Sequence, residues 1–122
     1  MKLDPTADDI RQFIEDDDGG PVVMLNLLRF AGEQGRASYE RYAAAAAPLL
    51  EQAGADVLYA GACSTTLVAP DGHEWDAIAV VRYPSRGGFL GMVKDPAYQA
   101  ITHLRSDGLD AAVLQATRQW GG

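Results

Sequence analysis

Asn26 is the residue most out of keeping with its surroundings, the otherwise largely aliphatic run PVVMLNLLRF at residues 21–30. A buried amide there must find hydrogen-bond partners or cost about 1–3 kcal/mol. It suits orienting a carbonyl or enolate in a cavity, or tying down a neighbouring loop. Arg82 and Asp76 share one face of a second apolar stretch, DAIAVVRY. A guanidinium there fits a carboxylate or enolate oxygen, or it closes an internal or intersubunit ion pair. His103 and His73 are the only histidines. His103 lies one position off the stripe Tyr98, Ile101 and Leu104, so it either reaches a cavity edge or is solvated. Because imidazole titrates near neutral pH, it is a candidate general base. Together these groups would suit proton transfer or oxygenation of an electron-rich substrate. Asn26 or Arg82 would steady the oxyanion and His103 would move the proton.

The remaining reactive side chains point elsewhere. His73 stands beside Gly72 in a turn, and two histidines without convergent carboxylates make no metal site. Cys63 is the single cysteine and has no basic neighbour in sequence, so neither a disulfide nor an activated thiolate is expected. Gly87-Gly88 lacks the lysine and the spacing of a phosphate cradle. No metal and no organic cofactor is therefore expected. Trp75 either walls a pocket or covers a hairpin. Tyr39, Tyr42 and Tyr98 read as packing residues whose hydroxyls reach a partner, with Tyr42 also placed to touch a substrate.

These side chains must be positioned by a regular framework. Thr6 starts a short helix whose apolar stripe is Ile10, Phe13 and Ile14, and the solvated run Asp16-Asp17-Asp18-Gly19-Gly20 ends it. Residues 21–30 are apolar on both faces and predict a central strand. A glycine-containing loop over 31–37 leads to Ser38, which caps a helix over 39–53 that bends at Pro48 and ends at Gly54. A long strand over 57–69, bulged near Gly61, turns at Asp71-Gly72 into a partner that starts near Trp75. Ser85 caps the next helix, and Asp95-Pro96 restarts it. Gly108 resets the chain before a last strand over 110–118.

The order is a helix followed by βαββαβ, an α+β fold of ferredoxin-like topology with the first and third strands in the middle. Residues 1–20 form the N-terminal helix and connector, 21–118 the domain, and 119–122 a tail. The helices cover one sheet face, so a second sheet should cover the other, and a homodimer is the economical answer. In the 122 residues, 17 acids against 10 bases argue against nucleic acid or an anionic membrane surface as the main partner. With no apolar span, no basic leader and one cysteine, a cytoplasmic protein is expected.

Three pieces together resemble the domain of unknown function 1330 family, within the dimeric α+β-barrel superfamily. They are VVMLNLLRF, then Tyr39, Tyr42, Pro48 and Gly54 in the second helix, and VVRYPS followed by DPAYQAITHLR. The resemblance spans residues 21–117. It implies a dimeric barrel with a ligand cavity between the sheet and its partner or helices. Similar barrels include cofactor-free monooxygenases, isomerases and haem-binding members, while the family itself has no agreed reaction. It also implies a place for arginine after the tyrosine of the last helix. Arg105 takes that place, and would bind an anionic substrate or complement the helix C-terminus. The function expected is binding of a small carbonyl or carboxylate compound, with monooxygenase- or isomerase-like catalysis or a non-catalytic dimeric role as the two outcomes.

Overall fold

A strand that is apolar on both faces needs cover on both and pairing on both edges. In the computed structural model, which describes residues 2–121, Val22–Phe30 (β1) has that pairing. It is flanked by Ala77–Tyr83 (β3) and Leu109–Thr117 (β4), both antiparallel to it. Asp56–Ala62 (β2) pairs with the far edge of β3, giving the order β2-β3-β1-β4. Met1 and Gly122, the outermost residues of the expected N-terminal segment and tail, lie outside the described residues. The helices are Ala7–Glu15 (α1), Gly32–Gln52 (α2), Arg86–Lys94 (α3), Pro96–Gln99 (α4) and Thr102–Gly108 (α5). The fold is the ferredoxin-like α+β topology.

The register divides the side chains between two faces. Val22 opposite Tyr83, Met24 opposite Val81, and Asn26 opposite Ala79 point to the helices. There Val22, Met24, Val81, Tyr83, Phe89, Met92 and Tyr98 form one buried cluster. Burying each of the larger aliphatic or aromatic side chains contributes roughly 1.5–3 kcal/mol. Val23 opposite Arg82, Leu25 opposite Val80, and Leu27 opposite Ile78 point the other way. Among the described residues, no helix covers that second face.

Local chemistry sets most helix ends where the sequence predicts them. Thr6 and Asp9 form a reciprocal capping box at the start of α1. The Ser85 hydroxyl accepts from the Gly88 N–H, and Asp95 accepts from Ala97 N–H with Pro96 at the first helical position. The second helix departs from expectation, because it begins at Gly32 and absorbs the expected loop. Packing decides this against glycine's poor helix propensity. Gly35 faces Gly108, and a Cβ on either residue would meet the other's carbonyl oxygen at 2.8 or 2.7 Å. Ser38 is consequently no cap; it is buried and donates to the Leu104 carbonyl at 2.8 Å, tying α2 to α5. Strand β2 stops at Ala62, well short of residue 69, and its irregularity lies between Val57 and Tyr59. The last helical stretch is broken twice, at Asp95 and again near Ile101.

The glycine contact makes a differential prediction. Gly108→Ala and Gly35→Ala should each cost about 1–3 kcal/mol through overpacking. Gly91→Ala, in α3 with nothing near the added methyl, should instead stabilise by about 0.5–1 kcal/mol. Chemical denaturation followed by circular dichroism separates the three; equal effects would show that the helix contact is not tight.

Candidate ligand-binding groove

Between α1 and the helix-facing side of the sheet lies an open groove of about 560 Å³. Its floor is Met24 of β1 and Ala112, Leu114 and Ala116 of β4, three of them on the alternate positions that share one face of their strand. Ile10 and Phe13 of α1 form one wall and Phe89 of α3 contributes to another. Small residues on β4 leave the space that larger side chains would fill.

Two arginines hold α1 and the preceding segment over this floor. Arg86 stands in the first turn of α3, where a cation opposes the helix dipole, so its position calls for another explanation. It is only 9% exposed, donates from Nη1 to the Phe13 carbonyl at 2.9 Å, and lies 4.6 Å from the Phe13 ring centroid. Phe13 in turn packs edge-on against Phe89 at 5.5 Å. No carboxylate forms an ion pair with Arg86 among the described residues. Arg105, in the last turn of α5, donates from Nη1 to the Leu3 carbonyl at 2.6 Å. Its remaining contact with the segment is the Asp4 carboxylate at 3.6 Å. Asp9 is held low, at about 2, chiefly by its hydrogen bond from Lys2 and then by those from Thr6.

The candidate residues of the sequence fall in separate places. Arg105 lines the groove. Tyr42 lies nearby in the core, its hydroxyl 2.6 Å from that of Tyr98, and burial pushes its ionisation far above the ordinary phenol range, with Tyr98 adding to the effect. Its hydroxyl therefore stays protonated and can only share or donate a proton. Asn26 is on the helix side too, but outside the groove lining; its amide makes long contacts to the carbonyls of Met24, 3.5 Å, and Ala79, 3.4 Å.

Arg82 and Trp75 lie apart from these. Arg82 projects from the uncovered face with Val23, so it does not converge with Asn26, as the three-residue arrangement required. The reason is register: the two residues stand on opposite alternations of paired strands. Asp76 does not complement Arg82 either. It precedes β3 and its carboxylate accepts from the Phe30 N–H at 2.8 Å. Trp75 donates to His73 at 3.2 Å and carries the Arg29 guanidinium 5.7 Å from its ring centroid. His103 is exposed on α5, clear of the groove lining, because it occupies the outward side of a helix only two turns long. Arg86 escaped the sequence reading. Its signal was the misfit of a cation directly after the cap Ser85.

The model of the family described as domain of unknown function 1330 matches residues 33–117. The chain belongs to this family. The match leaves out α1 and β1, whereas a structural likeness includes them. A protein of unknown function from Rhodopseudomonas palustris is 28% identical, with 98% of each chain covered and a TM-score of 0.89. A dimeric ferredoxin-like protein of unknown function from Thermobifida fusca is 18% identical over 84% of this chain and 93% of that one, TM-score 0.55. A hydroxynitrile lyase from Passiflora edulis is 12% identical over 80% and 92%, TM-score 0.63. The last two likenesses show the shared fold alone. No curated protein matches the chain. Among the described residues, no helix is long and apolar enough to cross a membrane.

The buried phenols of this family member give a pH prediction. Burial raises Tyr39, Tyr42 and Tyr83 above the ordinary 10.0, with Arg105 opposing the rise at Tyr39. A neutral acid with a raised folded value gives stability that is complete below its unfolded value and is lost as pH climbs beyond it. Thermal unfolding should therefore be level with respect to these groups up to about pH 10 and fall by several degrees towards pH 11.5. The fall should be shallower in Tyr42→Phe, and an unchanged slope in that variant would count against its buried hydroxyl.

Proposed function

We propose that the groove beneath α1 binds a small, largely apolar compound bearing a carboxylate or polarised carbonyl. The observation that carries this is Arg86, a nine-tenths-buried cation lining the groove without an ion-pair partner among the described residues. Burying a charge is costly unless it is paired or well hydrogen-bonded. One carbonyl and one aromatic face satisfy part of it, and an anionic or strongly polar ligand would supply the rest. The apolar floor and the volume suit a body of modest size.

A binding role fits this groove better than proton-transfer catalysis. Among the described residues its lining includes neither histidine nor cysteine. Of its carboxylates, Asp9 is held at about 2 by Lys2 and Thr6, which makes it a poor base near neutral pH. Calorimetric titration with 4-phenylbutyrate and octanoate tests the reading. Leu114→Trp, which fills the floor from a partly exposed position, should weaken binding at least about tenfold, equivalent to roughly 1.4 kcal/mol, while the fold persists. Retention of full affinity in that variant would place the ligand elsewhere.

The uncovered sheet face supports a homodimer. It presents Val23, Leu25, Leu27, Ile78, Val80 and Val113 together, and a continuous apolar face of this kind marks an interaction surface. The Thermobifida fusca protein that shares this fold is described as dimeric. Arg82 would then lie at the interface. Sedimentation equilibrium should give a dimer at micromolar concentration, and Val80→Glu should shift it to monomer. A wild-type monomer under those conditions would refute the dimer.

A further inference from the structure

The position of Asp4 beside Arg105 suggests what faces the guanidinium when the groove holds no ligand. The Arg105 side chain is 12% exposed, whereas that of Asp4 is 72% exposed and approaches at only 3.6 Å. Such a loose, solvent-facing pair contributes little. Guanidinium offers five N–H donors, yet Nη1 alone has partners among the described residues, Leu3 and Asp4. No side-chain nitrogen among them is both buried and unpartnered, so the other donors of Arg105 keep some exposure, and Arg105 lines the groove. A carboxylate entering over Ala112, Leu114 and Ala116 and bridging Nη1 and Nη2 end-on would make two bonds to the planar fork where Asp4 makes a single long contact at Nη1.

We propose that Asp4 occupies, in the free protein, part of the place of a ligand carboxylate on Arg105, so that the N-terminal arm and an anionic ligand compete for one guanidinium. This rests on the groove being the ligand site. The ligand class is a monocarboxylate with an uncharged apolar body, since the floor it crosses is hydrocarbon. The bond from Arg105 to the Leu3 carbonyl does not involve the Asp4 side chain, so the carboxylate can swing into solvent while the arm stays docked. Asp4 precedes the cap Thr6 and belongs to no helix, so no regular structure must melt to release it.

Calorimetry with 4-phenylbutyrate and with its uncharged amide tests the competition. Asp4→Asn removes the competing charge without shortening the side chain. Asp71→Asn, in the exposed turn next to Gly72, changes the net charge of −7 equally and serves as the control. Asp4→Asn should tighten the acid about two- to fivefold, with the amide unchanged and Asp71→Asn silent. An unchanged or weaker acid affinity overturns the proposal, as does an equal gain for acid and amide or an equal gain in Asp71→Asn. If Leu114→Trp abolishes acid binding while Asp4→Asn does nothing, the groove reading stands and the competition alone falls. If neither probe binds wild type nor Asp4→Asn at millimolar concentration, both fall.

Discussion

Strand β1 imposes the constraint on which the other features depend. It is hydrogen-bonded on both edges and apolar on both faces, so no arrangement with helices on one side alone satisfies it. The helices take the face of Val22, Met24 and Leu28. The face of Val23, Leu25 and Leu27 is left for another surface. The same alternation that divides the hydrophobic residues also divides the polar ones, sending Asn26 inward and Arg82 outward. Any chemistry of this protein is limited by that partition, because groups on opposite sides of a sheet cannot act on one atom.

On the helix side, the space is shaped by what is small. Alanines at 112 and 116 keep β4 low beneath α1, and the glycines at 35 and 108 let α2 and α5 close on each other. Helix α1 has no buried residue of its own. It is held by Phe13, by the capping box and by arginines reaching up from α3 and α5. An element secured by a few polar tethers and one aromatic ring is of low local stability compared with the sheet beneath it. The wall of the groove is thus softer than its floor. The family match begins at residue 33, but the protein from Rhodopseudomonas palustris is covered almost end to end, so this wall falls within that shared architecture.

Much of this was legible in the sequence because it is set by neighbours along the chain. Two-sided apolarity marks β1 and β3, Ser85 and Asp95-Pro96 mark the helix starts, and the element order gives the topology. What escaped depends on contacts between distant segments. Gly32 and Gly35 read as a loop until Gly108 is brought against Gly35. Alternation within one strand is visible in sequence, but the relation between Asn26 and Arg82 needs the register, which pairing alone supplies. Arg105, singled out by the family resemblance, is found in the groove, whereas no such resemblance marks Arg86, whose partner, the Phe13 carbonyl, lies 73 positions away.

The irregular pairing of β2 has a consequence for the molecule's behaviour in crowded solution. As one of the two edge strands, β2 carries unpaired backbone donors and acceptors along one side, with Val57, Leu58 and Tyr59 all more than half exposed. A straight strand of that composition would be a template for adding a foreign strand and extending the sheet into an aggregate. The extra residue at Leu58 shifts the ladder by one, so an incoming strand in register with one half is out of register with the other. The bulge also increases local twist, turning the edge out of the plane in which fibrils grow.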